Sequence, residues 1–261
     1  MFSRTMFAGK KAGAAAHQKL IIASRKQITD YLPAGTHFPA EELITHFEGK
    51  NGPDGLLLKR STSDEPCQFI RPYSDGGQLV GHIQDHIYNM RQAFYNNDEV
   101  KIAREAAWMS HMIIDGLTPA HHQPEQEFIK GEELTPTGSS ATFVIKNLKK
   151  LRPGTPLMNH TLFEARIEML MHRIDLDQLA AKISQKDLQR MQEGQFIELY
   201  LKTVRKIADK EIFTKFEKSG WDKTMSHQIK TELIPEAIKL ITLGWLSALP
   251  PENSAHTRTK T

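Results

Sequence analysis

The residues best suited to chemistry lie near the middle of the chain, where histidines and a carboxylate recur at short spacing. His111 and Asp115 are four residues apart, so a helix would place both side chains on one face, one turn apart. Gly116 and Pro119 follow and end such a helix, which lets His121 face back towards the same cavity. Imidazole nitrogens and carboxylate oxygens both bind zinc. The stretch therefore predicts a metal site, the alternative being a surface pair in which His111 hydrogen-bonds Asp115.

A second pair, His160 and Glu164, repeats the same four-residue spacing on another predicted helix. Glu168 and His172 extend the stripe at the same interval. A solvated helical face with stabilising side-chain pairs is the alternative interpretation. Two such pairs in one chain make the surface interpretation less attractive for both.

Three further positions are candidates on weaker grounds. His82 and His86 share a helical face, and either could be a ligand; alternatively, this is a helix start in which Asp85 favours the N-terminal dipole. His17 lies inside the first predicted helix, where a lone histidine is ordinarily an incidental half-buried residue. Asp64 lies in a polar segment, where a cap or turn role is the default.

The composition restricts which ligands a metal could have. Cys67 is the single cysteine among 261 residues, which excludes an internal disulfide and a thiolate cluster, whereas twelve histidines are present. The 34 basic and 31 acidic side chains give a net charge of +3, too small a surplus to indicate nucleic-acid binding by bulk electrostatics. Any bound metal must therefore be held by imidazoles and carboxylates.

The targeting signals of the sequence are weak. No stretch approaches the roughly 20 apolar residues of a membrane-spanning helix. The N-terminal residues contain basic side chains without the continuous apolar segment of a signal peptide. We therefore expect a cytoplasmic protein, with secretion left open, and nothing in the sequence indicates the oligomeric state.

The positioning elements are predicted to be helices throughout, since apolar residues recur at helical spacing and no strand alternation is found. Gly- and Pro-rich segments at 50–80 and 123–141 are predicted loops. The prediction is an all-α protein with a single, mostly helical domain at 1–249, its metal site within 14–170, and a disordered tail at 250–261. The predicted helices span about 13–31, 40–49, 81–98, 99–115, 157–173, 186–218 and 226–249, the last with a kink at Pro235.

The central pattern resembles the metal motif of the zinc-dependent phospholipase C and S1/P1 nuclease superfamily. The pattern, His-x-x-x-Asp-x-x-x-Pro-x-His, is formed by His111, Asp115, Pro119 and His121. In that family it lies on a helix and its following turn, in a mostly helical domain that holds three zinc ions. The later His160 and Glu164 resemble the phospholipase C branch, because the nuclease branch generally has aspartate at the second position.

The resemblance implies a ligand set for each ion. One zinc would be bound by Asp64, His82, His111 and Asp115, a second by His121, His160 and Glu164, and Asp115 would bridge to a third ion shared with His17. Asp54 and Asp75 compete with Asp64, and His86 competes with His82. Secreted members supply a further ligand from an N-terminal tryptophan. The first tryptophan here is Trp108, so the expectation is two or three zinc ions.

The reaction implied by the resemblance is phosphodiester hydrolysis, with Asp64 as the candidate general base beside the attacking water. Phospholipid and nucleic acid both remain open as substrates. Phe69 and Tyr73 could stack on bases or simply anchor a loop. The rival interpretation is a non-catalytic helical binding or scaffolding protein with a structural metal site.

Overall fold

The computed structural model describes residues 16–48, 51–53, 69–122 and 156–251, except for the side chain of Leu157. Helix makes up 71% of these residues and none of them lies in a strand, which confirms the predicted all-α class. The α-helices are α1 (Ala16–Ile28), α2 (Glu41–His46), α3 (Gly77–Tyr95), α4 (Glu99–Leu117), α5 (Pro156–Met171), α6 (Gln185–Gln192), α7 (Phe196–Ala208), α8 (Ile212–Ser219), α9 (Lys223–Gln228) and α10 (Ile234–Ser247).

Helix α4 is the central element and the one that carries the predicted motif. Asp98 begins it by accepting a hydrogen bond from the Lys101 backbone N–H at 3.0 Å, as an N-cap residue does. From residue 109 to its end the helix is buried without interruption. It packs against α1, α2, α3, α7 and α10. The helix stops before Pro119, because the residue preceding a proline favours extended backbone, and Thr118 adopts it.

Helix α10 packs against α4 in the core. The indole N–H of Trp245 donates to the Ala106 carbonyl on α4 at 3.1 Å, so this large buried side chain leaves no polar atom without a partner. The Ser24 hydroxyl contacts the Ile238 carbonyl at 3.2 Å and joins α1 to the same helix. These contacts fix α1 and α4 side by side, and both carry candidate ligands.

Glycine at position 116 is required by the close approach of α7 to the end of α4. A Cβ atom there would lie 1.8 Å from the hydroxyl oxygen of Tyr200 and 3.0 Å from its Cζ. Real atoms do not come this close, so any larger residue would push α7 away. The neighbouring Asp115 is therefore held on a segment whose position is set by tight packing.

The sequence-based prediction of one long helix over 186–218 is wrong. The chain forms α6, α7 and α8 instead, with breaks at Gly194 and Glu211, where φ is 75° and 52°. Glycine enters this left-handed region freely, but a non-glycine residue such as Glu211 does so uncommonly. The amphipathic pattern continues across the breaks, which explains why it suggested a single helix.

The predicted kink at Pro235 takes the form of a π-helical segment. Residues Ile229–Leu233 lie between α9 and α10, and Pro235 stands in the first turn of α10. Proline has no N–H to donate, and its ring needs space near the preceding turn, which a wider π turn accommodates. Helical backbone thus continues from Lys223 to Ser247.

Two other findings concern the predictions about the rest of the chain. Within the described ranges, no helix combines the length and the apolar character needed to span a bilayer. The predicted loop at 123–141 and the end of the predicted tail, 252–261, lie outside the described residues.

Candidate metal centre

Four histidines and two carboxylates form two clusters. In each cluster the ligand atoms lie within 4.8 Å of one another. The first cluster consists of His17, His111 and Asp115, and the second of His121, His160 and Glu164. All six are among the residues expected from the sequence. Helices α1 and α4 supply the first cluster, and α5 together with a 3-10 helix at Pro119–His122 supplies the second.

The first cluster is arranged around the Asp115 carboxylate. Its Oδ2 lies 3.2 Å from His111 Nε2, one turn back on α4, and its Oδ1 lies 3.5 Å from His17 Nε2 on α1. The two imidazole rings are 4.6 Å apart between centroids and tilted by 66°. Both Nε2 atoms therefore point to the same carboxylate, which is how two imidazoles and a carboxylate face a common cation.

Glu48 belongs to the candidate site, and the sequence analysis missed it. Its Oε1 lies 3.0 Å from His111 Nδ1 and 3.4 Å from His17 Nδ1, and its side chain is only 3% exposed. A histidine that binds metal through one nitrogen commonly donates its other ring N–H to a carboxylate. Glu48 occupies that position for both histidines, and it orients their Nε2 atoms towards Asp115.

The second cluster is built on the predicted four-residue pair. His160 Nε2 lies 2.9 Å from Glu164 Oε1, and His121 Nε2 lies 3.1 Å from the same oxygen. The His121 backbone N–H donates to the Thr118 carbonyl at 2.9 Å, and its carbonyl accepts from the Ile70 N–H at 3.1 Å. The turn after α4 is thus fixed on both sides, which directs His121 back to α5.

The two clusters form one centre because Asp115 reaches both of them. Its Oδ1 lies 3.5 Å from His17 Nε2 and 4.0 Å from His121 Nε2. A carboxylate with two oxygens can bridge neighbouring cations. Asp115 is therefore the residue placed to link an ion in one cluster with an ion in the other.

The carboxylates of the centre are held in their charged forms. Burial alone would raise the pKa of Glu48, but the charge of His111 and the hydrogen bonds from His111 and His17 lower it to about 2. Burial also opposes ionisation of Asp115 and Glu164, yet neighbouring groups, including His111 for Asp115 and His160 for Glu164, hold both pKa values well below the usual range. Three buried carboxylates are consequently anionic.

The histidines of the two clusters differ in basicity. Burial and the adjacent His111 disfavour a charged His17, but the carboxylates of Glu48 and Asp115 outweigh them and raise the pKa of His17. For His160, burial dominates over the attraction of Glu164 and lowers the pKa. Positive charge is therefore more favourable on His17 than on His160.

The donor set fits a divalent metal. Glu48 Oε2 and Asp115 Oδ2 are buried oxygens with no hydrogen-bond partner, and buried carboxylates ordinarily have partners or bind cations. Within the described part of the chain, no lysine or arginine pairs with either of them. Asp115 Oδ2 is thus a buried anionic oxygen that can accept a cation held beside His111 Nε2, 3.2 Å away.

Among the described residues, the centre is most exposed at two of its ligands. His17 and Glu164 are 13% and 11% exposed, whereas the other ligand side chains and Glu48 are at most 3% exposed. The same two residues border a cavity of about 40 Å³ whose remaining described lining is almost entirely apolar. An approaching molecule would therefore meet one ligand of each cluster first.

Several expected residues lie elsewhere. His82 is half-buried on α3 and belongs to neither cluster, whereas His86 Nδ1 contacts Glu105 Oε2 at 2.7 Å in a separate pair. Asp75 is exposed and accepts from the Gly77 N–H at 3.0 Å, which is a turn role. The candidates Asp54 and Asp64 lie outside the described residues.

His122, which follows the cluster residue His121, faces the backbone instead. Its Nε2 donates to the Gly116 carbonyl at 3.0 Å. Burial lowers the pKa of His122 to about 4, so the side chain is neutral at physiological pH. It helps to fix the turn between the two clusters.

Comparison with known protein families, with curated proteins and with solved structures gives no match for this chain.

Proposed function

We propose that this protein is a zinc-dependent phosphodiester hydrolase of the phospholipase C type. The observation that carries the proposal is the pair of buried clusters joined by Asp115. Phosphoryl transfer often uses paired cations, and two clusters that share the Asp115 carboxylate, 4.0 Å from His121 Nε2, could hold such a pair. The resemblance of the His111–His121 motif to the phospholipase C superfamily supports zinc as the metal.

Each residue has a defined task in this proposal. His17, His111 and Asp115 would hold one ion, with Glu48 fixing both imidazoles, and His121, His160 and Glu164 would hold another. Bound zinc lowers the pKa of water towards neutrality and neutralises charge on the phosphate. Asp64 is retained as the candidate general base, and His82 as a candidate ligand.

Phospholipid is the favoured substrate over nucleic acid. The cavity that reaches His17 and Glu164 has apolar walls among its described residues, which suit hydrocarbon and give bases no platform. Of the loop aromatics, Tyr73 bonds Asp209 through its hydroxyl at 2.7 Å, and the Phe69 ring lies 5.6 Å from the His121 ring. If the substrate were a nucleic acid, Phe69 would be the aromatic residue placed to stack on a base.

The first experiment is the zinc content of chelator-free purified protein. We expect two or three ions per chain, with a loss in both His111→Ala and His160→Ala. The matched control is His37→Ala, because His37 also contacts a carboxylate, at 3.0 Å from Glu99, but is 75% exposed. Less than one zinc per chain, unchanged by either cluster variant, would overturn the metal site.

Hydrolysis is then measured on a short-chain phosphatidylcholine, on bis(p-nitrophenyl) phosphate and on single-stranded DNA. The phospholipase proposal expects turnover of the first and its loss in both cluster variants. Turnover of DNA alone would favour the nuclease. Full zinc with no turnover, and unfolding on chelation, would indicate the scaffolding protein with a structural metal.

A further inference from the structure

The cavity beside the metal centre extends away from it between helices. Helix α5 lines one wall from Glu164 to Met171, which are two helical turns, or about 10 Å, apart. Helix α1 contributes His17 and Leu20, and α10 contributes Ala237. The metal centre thus lies at one end of this wall and Met171 at the other.

The walls offer almost nothing to a polar ligand. The apolar side chains that line the cavity include Leu20, Ile114, Leu117, Ile167, Met171 and Leu233. Thr118 is the polar residue among the described walls outside the clusters, and its hydroxyl already donates to the Ile114 carbonyl at 2.9 Å. An apolar cavity of this kind binds apolar groups in preference to water.

We propose that this cavity binds a short, unbranched hydrocarbon group of the substrate and so selects substrates by chain length. A volume of about 40 Å³ admits only a few carbon atoms, since even one water needs roughly 10–15 Å³. The inference rests on the proposed function in placing a phosphate at the clusters. The chain attached to that phosphate would pass His17 and Glu164 and run along α5.

Ala237 is a small residue in the wall of the cavity. It is 3% exposed, lies on α10 and lines the cavity together with residues of α5. A leucine at this position adds three carbons, so it would fill the cavity from the α10 side. Met171→Ala does the opposite, because it removes side-chain volume at the end remote from the clusters.

The test is the binding of n-alkyl phosphates, from methyl to octyl, to the zinc-loaded protein by titration calorimetry. Each buried methylene should tighten binding about fourfold, so butyl phosphate should bind about 60-fold better than methyl phosphate, with no gain beyond about four carbons. Ala237→Leu should abolish the gain while leaving methyl phosphate binding unchanged. Met171→Ala should extend the gain to longer chains.

The matched control is Ala208→Leu, which adds the same volume at a half-buried position on α7. Zinc content and circular dichroism establish that each variant is folded and loaded. Equal affinity for all chains in the wild type, an undiminished gain in Ala237→Leu, or no binding of any alkyl phosphate overturns the inference. Hydrolysis is a separate readout: chain-length-dependent binding without turnover refutes the proposed function and leaves the cavity inference standing.

Discussion

The two clusters of the metal centre use similar ligands but differ in how they are assembled. The first draws on three distant segments, with His17 from α1, Glu48 from just after α2, and His111 and Asp115 from α4. The second is more local and has one carboxylate for its two histidines. With Glu48, which contacts both of its histidines, the first cluster has two carboxylates for two imidazoles, whereas the second has one.

This difference in charge has opposite effects on the histidines. The two carboxylates of the first cluster raise the pKa of His17, whereas burial lowers the pKa of His160 in the second. A site that attracts a cation attracts a proton as well, and zinc binds only deprotonated imidazole. In the more strongly anionic cluster, protons therefore also compete more effectively with zinc for the imidazole of His17.

The largest effect on this comparison is expected from Asp115→Asn. The substitution removes a charged ligand from the first cluster and the link at 4.0 Å to His121 in the second. We expect loss of the ion in the first cluster and weaker binding of the ion in the second. The loss in the first cluster should exceed the roughly 100-fold weakening that is typical when a residue hydrogen-bonded to a ligand is substituted. Zinc titration monitored by elemental analysis measures both.

Asp75→Asn serves as the control for that substitution, because Asp75 is an exposed carboxylate in a turn. If Asp115→Asn removed the first ion and left the affinity of the second unchanged, the two clusters would be independent sites. The proposed link through Asp115 would then be wrong.

Glu48→Gln should produce the next largest effect, and only in the first cluster. The amide is similar in shape but uncharged, so it supports the two imidazoles less well and compensates no cation. We expect zinc affinity of the first cluster to fall by about 10- to 100-fold. The affinity of the second cluster, measured in the same titration, should not change.

Glu105→Gln is the matched control, since Glu105 is also buried, at 4% exposure, and also contacts a histidine ring, that of His86. An equal loss in both variants would mean that any buried carboxylate–histidine pair stabilises the fold nonspecifically. It would contradict an orienting role for Glu48.

The smallest effect is expected from pH. As the pH falls from 7 towards 5, protons occupy His17, whose pKa is raised, before they occupy His160, whose pKa is lowered. The first cluster should therefore release its ion at the higher pH. The measurement is the zinc retained after dialysis at each pH. The His160→Ala variant reports on the first cluster and His111→Ala on the second. Release from the second cluster at the higher pH would contradict the directions of the two pKa shifts.

The parts of this centre that the sequence predicted are those with local spacing. His111 with Asp115, and His160 with Glu164, are one helical turn apart, and a helix brings such residues together whatever the rest of the fold does. His17 came from family resemblance alone. Glu48 had no signal, because its contact with His111 spans 63 residues of chain and depends on how α2 packs against α4.

The same distinction explains the fold. Helical periodicity predicted the all-α class, but not the breaks at Gly194 and Glu211, where a single residue of left-handed backbone redirects an unbroken amphipathic pattern. Long-range packing decides where such breaks occur, and the spacing of apolar residues along the sequence does not predict that packing. The ligation of zinc by the clusters stays a prediction until the ion content is measured.

The contact between Gly116 and Tyr200 has a consequence for how this sequence can change over evolution. An alanine at position 116 would collide with the tyrosine hydroxyl at 1.8 Å, yet its nearest ring carbon would be 3.0 Å away. A phenylalanine at position 200 would remove the closest clash at modest cost, because the hydroxyl makes only a 3.4 Å bond to the Met112 carbonyl. The ring carbon at 3.0 Å and the Leu79 side chain at 3.2 Å would still have to shift. The two positions are therefore coupled, and replacing Gly116 by alanine becomes less costly once Tyr200 has lost its hydroxyl.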